Sequence, residues 1–235
     1  MIRILLSLLG ILLLWFGTVP RVLAQEIPIV PITQEQLEWG EEVAKKAFEA
    51  TQKENFTQAE TYWTQLIEKF PINSAVWNNR GNTRVSQNKL DKAIADFNRA
   101  VELAPNESAL YLNRGIALEK QGKYQEAIIN YNRVLEITPN DSIAYNSRGN
   151  AQGGLGNWEQ ALKDYQTAVN IDPDFTFAKA NVALAFYQLG NTKEALNQMR
   201  NIIRKYPMFP DTRAALTAVL WELGKEGYFR IIFLI

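Results

Sequence analysis

The sequence contains neither cysteine nor histidine, and each absence removes a class of chemistry. Without cysteine the chain can form no disulfide and offers no thiol nucleophile. Without histidine it lacks the side chain that most often acts as a general base, and the two absences together remove the usual protein ligands of transition metals. The sequence also has no phosphate-binding glycine loop and no serine nucleophile motif. It therefore predicts a protein that is not an enzyme, with no catalytic residue, no metal site and no cofactor.

An excess of charge of either sign is missing as well. The 235 residues include 25 basic and 25 acidic side chains, and no block of lysine or arginine interrupts this balance. Proteins that bind nucleic acid normally carry a basic patch that matches the phosphate backbone. The balance of charge therefore predicts that nucleic acid is not a ligand.

What the chain does contain is an internal repeat. Three five-residue segments recur with a period of 34 residues: 77–81 (WNNRG), 111–115 (YLNRG) and 145–149 (YNSRG). The same period relates five alanines and five prolines: Ala59, Ala93, Ala127, Ala161 and Ala195, and Pro71, Pro105, Pro139, Pro173 and Pro207. A period of this length is typical of helix–turn–helix solenoids, in which one helix pair is too small to bury its own apolar face and must stack on its neighbours.

This pattern of an early aromatic residue, a glycine, a central alanine and a late proline resembles the tetratricopeptide repeat (TPR) family. The resemblance implies an all-α, right-handed superhelical solenoid of about five helix–turn–helix repeats with a C-terminal capping helix, and it implies a scaffold that binds another polypeptide. The TPR domain is expected to span 34–224, with repeats at 40–73, 74–107, 108–141, 142–175 and 176–209 and the cap at 211–223. The fifth repeat has Lys179 and Ala183 where the regular repeats have the aromatic residue and the glycine.

Recurring residues of the second to fourth repeats have predicted packing roles. The early aromatic residue is expected to fill the space between a repeat and its predecessor, and the glycine lets the two helices of a repeat approach each other. A second aromatic residue supplies area that only stacking can bury. These three sets are Trp77, Tyr111 and Tyr145; Gly81, Gly115 and Gly149; and Phe97, Tyr131 and Tyr165. In the fourth repeat, Gly153 and Gly154 predict a shortened first helix or, alternatively, a bare groove face.

The N-terminal segment has the features of a secretory signal peptide at 1–24. Arg3 precedes an apolar run at 4–19, and small residues follow before Gln25. The alternative is a retained anchor that places the protein near a membrane through residues 4–19. The proline-containing stretch 25–33 is expected to be a linker, and Thr33 with Gln36 predicts a capping box that opens the first helix. The last residues, 225–235, form an apolar tail.

A narrower resemblance concerns the segments 181–190, 199–207 and 213–218. They are similar to a TPR group found in cyanobacteria and in the lumen of chloroplast thylakoids. That similarity implies an exported protein of the thylakoid lumen or the periplasm that helps to assemble or maintain a membrane complex. The alternative is a membrane-tethered structural spacer with no ligand in its groove. Carbohydrate binding is ranked below both, because Tyr187 and Trp221 are the only suitable aromatic residues.

Residues beside the packing positions of the first helices are predicted to form a partner-binding groove, because a solenoid presents these helices along one concave surface. The predicted groove consists of Asn78, Asn79, Asn82, Leu112, Asn113, Ile116, Asn146, Asn150, Asn181, Leu184 and Tyr187. Asparagine offers a donor and an acceptor and suits an extended peptide backbone or a terminal carboxylate. We therefore predict a protein or peptide partner; the alternative is that these side chains are only solvated.

Some TPR domains bind the carboxylate end of a chaperone through a lysine, two asparagines and further basic residues. Asn82 and Asn113 match the two asparagines of that clamp. Asn78, Ile143 and Ser147 stand where the resemblance requires basic residues. Binding of a chaperone tail is therefore not expected.

Three arginines form a ladder, one residue before each repeat glycine: Arg80, Arg114 and Arg148. They could receive acidic groups of a partner, because a guanidinium binds a carboxylate through two parallel hydrogen bonds. The preferred interpretation is that they bridge neighbouring repeats through bonds to carbonyls or acids. Suitable acids are Asp96, Asp141 and Asp164.

Overall fold

The computed structural model describes residues 33–205 of the chain. The predicted signal peptide, the capping helix and the apolar tail lie outside these residues, as does the linker apart from Thr33. The chain divides into two compact units, Met1–Glu38 and Trp39–Ile235. None of the helices described between residues 33 and 205 combines the length and the apolarity that a membrane span requires.

The described part of the N-terminal unit is the predicted capping box. The Gln36 backbone N–H donates to Thr33 Oγ1 at 3.2 Å, and the Thr33 N–H donates to Gln36 Oε1 at 3.0 Å. These reciprocal bonds satisfy two N–H groups that a helix start would otherwise leave without partners. The first helix accordingly begins at Gln34.

Ten α-helices and no strands are present between residues 33 and 205. Their bounds are α1 (Gln34–Gln52), α2 (Phe56–Lys69), α3 (Ser74–Ser86), α4 (Leu90–Leu103), α5 (Ser108–Lys120), α6 (Tyr124–Ile137), α7 (Ser142–Gly154), α8 (Trp158–Ile171), α9 (Thr176–Gln188) and α10 (Thr192–Lys205). Consecutive helices form five pairs, α1–α2 to α9–α10, and each pair corresponds to one predicted repeat. The all-α solenoid of about five repeats is therefore confirmed.

Local backbone chemistry sets where these helices end. Each second helix of the first four pairs stops two residues before the repeat proline, because proline disfavours helical geometry in the residue before it. The turns inside the pairs use left-handed backbone. Gly122, Gly156 and Gly190 have φ between 75° and 80°, and Asn88 has φ 57°. The first pair places Glu54 in this region, at φ 56°, where a side chain with Cβ is disfavoured.

The repeat glycines create room for the buried aromatic residue of the same pair. A Cβ atom on Gly81 would lie 2.6 Å from the Phe97 ring. A Cβ atom on Gly115 would lie at the same distance from the Tyr131 ring, and one on Gly149 at the same distance from the Tyr165 ring. The second aromatic residues of these pairs are at most 2% exposed: Phe97, Tyr131 and Tyr165. The predicted role of the glycines is confirmed, and the residue that requires each glycine is now identified.

The two glycines of the fourth repeat do not shorten its first helix, so that prediction was wrong. Helix α7 has 13 residues, as do α3 and α5. A Cβ atom on Gly153 would lie 2.9 Å from the Trp158 ring, and one on Gly154 would lie 2.6 Å from the Tyr124 ring. Both glycines therefore accommodate aromatic residues at the starts of second helices, α8 and α6.

The pairs stack so that the first helices of successive pairs contact each other. Such contacts join α3 to α5, α5 to α7 and α7 to α9. The second helices α4, α6, α8 and α10 pack on the first helix of their own pair, and α2, α4, α6 and α8 pack on the first helix of the next pair. The early aromatic residues help to hold this stacking. The Trp77 indole donates to the Pro71 carbonyl at 2.9 Å, and the Tyr111 hydroxyl donates to the Pro105 carbonyl at 3.0 Å. Each bond ties a repeat to the turn that precedes it, as expected.

Candidate functional site

The stacking brings the predicted groove residues of four successive pairs onto the first-helix side of the solenoid. The amide of Asn113 on α5 donates from Nδ2 to Asn78 Oδ1 on α3, at 2.8 Å. Two pairs further on, Asn181 on α9 donates from Nδ2 to Asn146 Oδ1 on α7, at 2.9 Å. Both bonds span 35 residues, one more than the repeat period, and the second bond lies two periods after the first, so the same contact recurs between two different pairs of repeats. The asparagines therefore form inter-repeat pairs as well as lining the predicted groove.

A chain of hydrogen bonds extends the second asparagine pair. Asn150 Oδ1 accepts from Asn181 Nδ2 at 3.1 Å and from the Tyr165 hydroxyl at 3.0 Å. Burial and nearby carboxylates raise the pKa of the Tyr165 hydroxyl, so it keeps its proton and remains a donor. This network holds the amides of Asn146, Asn150 and Asn181 in fixed orientations.

The paired amides keep part of their hydrogen-bonding capacity. Within residues 33–205, the Nδ2 groups of Asn78, Asn146 and Asn150 and the Oδ1 atoms of Asn113 and Asn181 bond to no protein group. None of these five atoms is among the buried polar atoms without a partner, so each reaches solvent. The surface thus presents three oriented donor groups and two oriented acceptors.

The other predicted groove residues differ in exposure. Asn82 is exposed, and its side chain makes no hydrogen bond within the described part of the chain. Leu112 and Ile116 are half-buried against the core around Ala127 and Tyr131. The remaining members are also half-buried: Asn79, Leu184 and Tyr187. Trp221, the second aromatic residue considered for carbohydrate binding, lies outside the described residues.

Glu119 stands at the same repeat position as the predicted groove residue Tyr187, and the sequence analysis did not include it. Its carboxylate accepts a 2.7 Å hydrogen bond from the Tyr131 hydroxyl. Burial raises the pKa of the Glu119 carboxyl, while the Tyr131 bond and the charge of Lys120 act in the opposite direction. Burial and Glu119 together raise the pKa of Tyr131, which stays protonated. The signal was in the sequence, because Glu119 lies two periods of 34 residues before Tyr187, which the groove already included.

The residues that matched the chaperone-tail clamp are not arranged as a clamp. Asn113 bonds to Asn78, which occupies one of the positions where a basic residue would be required. Ser147 is buried at 7% exposure and Ile143 is 52% exposed. These placements give no cationic side chain beside Asn82 and Asn113 at the matched positions.

The arginine ladder does bridge neighbouring repeats, as the preferred interpretation held, but the bridges end on neutral side chains, and the bonds to acids stay within one repeat. Arg80 and Arg148 each bond through Nε and Nη2 to an acid of the same pair, Asp96 or Asp164. The bridge to the preceding repeat is neutral, to Thr64 Oγ1 for Arg80 and to an asparagine, Asn132, for Arg148. Asp141 instead accepts from the Ala144 N–H as the N-cap of α7.

Arg114 has the same geometry with different partners. Its Nε donates to Asn130 Oδ1 at 2.7 Å and its Nη1 to Asn98 Oδ1 at 2.9 Å. Each ladder arginine also lies over the early aromatic ring of its own repeat, at 4.9 to 5.4 Å from the ring centroid. Between residues 33 and 205 there is no group of three acidic side chains that could hold a metal ion.

Similarity to solved structures concerns the fold. MamA is 20% identical with a TM-score of 0.63, and the match covers 72% of this chain and 93% of MamA. MamA from Desulfovibrio magneticus RS-1 is 17% identical with a TM-score of 0.66 over 74% and 96% of the two chains. YrrB, a TPR protein with an unusual peptide-binding site, is 20% identical with a TM-score of 0.60 over 78% and 95%. A search of curated proteins found no match.

Family models agree with this fold. Three models, each describing a tetratricopeptide repeat, match the chain. The first matches 45–108 and 79–142, the second matches 142–175 and the third matches 181–207. Together they cover most of the five helix pairs, and the chain therefore belongs to the tetratricopeptide repeat family.

Proposed function

We propose that the protein is a scaffold that holds an extended segment of a partner protein along the groove. The observation that carries this proposal is the set of oriented, solvent-reaching amide atoms on Asn78, Asn113, Asn146, Asn150 and Asn181. An extended backbone alternates donors and acceptors, and side-chain amides complement both. The peptide-binding site of YrrB, a protein of similar fold, supports a peptide-like partner.

The proposed segment carries a basic side chain near the middle of the groove. Glu119 adds a carboxylate to a lining that otherwise consists of amides and apolar side chains, and its hydrogen bond comes from a neutral hydroxyl. A partly buried carboxylate is stabilised by an approaching cation, because the cation offsets the cost of desolvation. A lysine or arginine of the segment would therefore bind next to Tyr131 and Glu119.

The proposal extends to an exported setting, the thylakoid lumen or the periplasm, and to assembly or maintenance of a membrane complex. It is supported by the apolar run at 4–19 and by the resemblance of 181–190 and 199–207 to lumenal TPR proteins. The competing proposal is a spacer tethered by an uncleaved N-terminal segment. Mass spectrometry of the protein from its native membrane fraction separates the two, since Gln25 as the first residue removes the tether.

The groove proposal is tested by crosslinking from Asn82 and Leu184. They occupy equivalent positions in the second and fifth repeats, at the two ends of the predicted groove. A photoreactive residue at either position should capture the same partner protein in cells. The matched controls are Glu102 and Glu136, whose side chains are each 63% exposed on second helices. Equal capture from the controls would contradict the proposal.

A substitution completes this test. Asn82→Glu introduces charge at an exposed side chain that makes no hydrogen bond within residues 33–205. Capture from Leu184 should fall in this variant while the melting temperature stays unchanged. Unaltered capture would argue that the partner does not follow the groove as far as the second repeat.

A further inference from the structure

The three ladder arginines are alike in position but not in charge balance. Arg80 and Arg148 each donate from Nε and Nη2 to both oxygens of one carboxylate, at 2.6 to 3.0 Å. The residue at the corresponding place opposite Arg114 is Asn130, which accepts from Nε alone. Two of the three guanidinium groups are therefore neutralised inside their own repeat, and that of Arg114 is not.

The Nη2 nitrogen of Arg114 donates to no protein group between residues 33 and 205, and it reaches solvent. The protein acceptors of Arg114 between residues 33 and 205 are Asn130 and Asn98, and neither accepts from Nη2. This nitrogen is not among the buried polar atoms without a partner. Burial lowers the pKa of the Arg114 guanidinium, whereas hydrogen bonds to Asp164 raise the pKa of Arg148. An anion beside Nη2 would supply the interaction that the two flanking repeats already contain.

Arg114 lines a cleft of about 280 Å³, and none of the predicted groove residues is part of its lining. The cleft lies between the second helices α4 and α6, above α5. Ile94, Leu118 and Ile129 supply apolar walls, and Ile129 is 62% exposed. Glu126, which is exposed, also lines the cleft.

We propose that this cleft is a second docking site, which takes an acidic side chain of a partner protein flanked by apolar residues. The carboxylate binds the Nη2 side of Arg114, and the flanking side chains pack on Ile94 and Ile129. Charge complementarity favours this occupant, because Arg114 forms no ion pair with Glu126, the one carboxylate of the lining, and the other lining residues are apolar side chains and amides. Arg114 and Leu118 share helix α5 with groove residues, but none of the residues that line the cleft belongs to the predicted groove, so the site does not depend on the proposed groove function.

The direct test is a methyl NMR titration of the full chain with labelled isoleucine and leucine. The probes are the peptide acetyl-Ile-Glu-Leu-amide, its Glu→Gln counterpart and sodium acetate. The Glu peptide should produce saturable shifts at Ile94, Leu118 and Ile129, and the Gln peptide should bind at least about tenfold more weakly. Equal binding of the two peptides would overturn the proposal. Acetate binding as tight as that of the Glu peptide would also overturn it, in favour of a small-anion site.

Three substitutions sharpen the result. Asn130→Asp recreates the ion pair of the flanking repeats, so it should reduce affinity for the Glu peptide at least about tenfold while the melting temperature is maintained or raised. Glu126→Gln removes the competing carboxylate and should strengthen binding. Arg114→Gln should abolish the difference between the two peptides; Asn130→Asp keeps the test decisive if the Gln variant fails to fold. Undiminished affinity in Asn130→Asp would refute the role of Arg114.

Discussion

At the scale of single residues, Glu119 shows how a binding surface can retain an unfavourable group. Its carboxylate is partly buried, and the neutral Tyr131 hydroxyl is its hydrogen-bond donor. Burial raises the pKa of Glu119, which means that folding disfavours the charged form. A residue kept in such a place at a cost to stability fits a role in binding a cation.

The residue-scale prediction follows from the sign of that shift. The folded pKa of Glu119 lies above the unfolded value, so its contribution to stability is most favourable below the unfolded pKa and declines as the pH rises through the folded pKa. Glu119→Gln should therefore raise the free energy of unfolding at pH 7, by on the order of 1 kcal/mol, and should raise it little near pH 4. Denaturant melts at the two pH values measure this difference.

The control for this prediction is Glu68→Gln, at an exposed position on α2. It should leave stability nearly unchanged at both pH values, because surface substitutions usually shift it by less than about 0.5 kcal/mol. A Glu119→Gln variant that is less stable than the parent at pH 7 would show that the carboxylate is favourably placed even without a ligand.

At the scale of helices, the period of 34 residues was sufficient to predict every described pair. Proline and left-handed glycine act on the backbone locally, so their spacing reports helix ends without knowledge of the neighbours. The asparagine pairs could not be predicted in this way. Whether Asn113 reaches Asn78 depends on the angle and separation of two helices from different repeats, which the spacing does not contain.

The paired glycines of α7 illustrate the same limit. A glycine in a helix indicates a weak helix by propensity alone. In the folded chain Gly153 and Gly154 face the rings of Trp158 and Tyr124, which lie in different second helices. Packing with those rings overrides propensity, and α7 keeps its full length. Arg114 shows a related limit. The sequence predicts its repeat position, but the side chain that packs against each ladder arginine depends on the folded structure, which places Asn130 against Arg114 where the other two arginines have an aspartate.

The helix-scale prediction compares one substitution at two glycines. Gly115→Ala places a Cβ atom 2.6 Å from the fully buried Tyr131 ring, which is also held by Glu119. We expect overpacking to lower the free energy of unfolding by about 1–3 kcal/mol. Gly154→Ala meets Tyr124 at the same distance, but this ring is only half-buried and can move. There the ring can turn away from the added Cβ atom, so we expect a smaller loss of stability than in Gly115→Ala.

Thermal and urea denaturation of the two variants under identical conditions measure this contrast. A similar loss of stability in both would mean that Tyr124 is as rigid as Tyr131. No loss in Gly115→Ala would mean that the repeat glycine is dispensable for helix approach.

At the scale of the whole molecule, stability of a solenoid is approximately a sum over repeats and the interfaces between them. The interface between the first two pairs depends on Glu60 of α2. Its carboxylate accepts hydrogen bonds from Arg84 at 2.8 Å, Gln87 at 2.9 Å and Lys89 at 2.8 Å, all of the second repeat. Arg84 continues this network to Asp96 at 2.7 Å. This network contains ion pairs, whereas Arg114 and Arg148 bond to uncharged asparagine side chains of their preceding repeats.

Acid should therefore release the first pair before the middle of the solenoid. Burial acts to raise the pKa of Glu60, but the bonds from Lys89, Arg84 and Gln87 outweigh it and lower the pKa to about 2. A lowered folded pKa gives stability that is present above the unfolded value and lost as the pH falls toward about 2. Hydrogen exchange should show α1 and α2 losing protection in that range ahead of α5 to α8.

Glu60→Gln should weaken the same helices already at pH 7, by about 1–3 kcal/mol. The control is Glu42→Gln, which breaks only an exposed ion pair within α1 and should not weaken them. Uniform loss of protection along the solenoid in Glu60→Gln would show that the five pairs unfold as one cooperative unit.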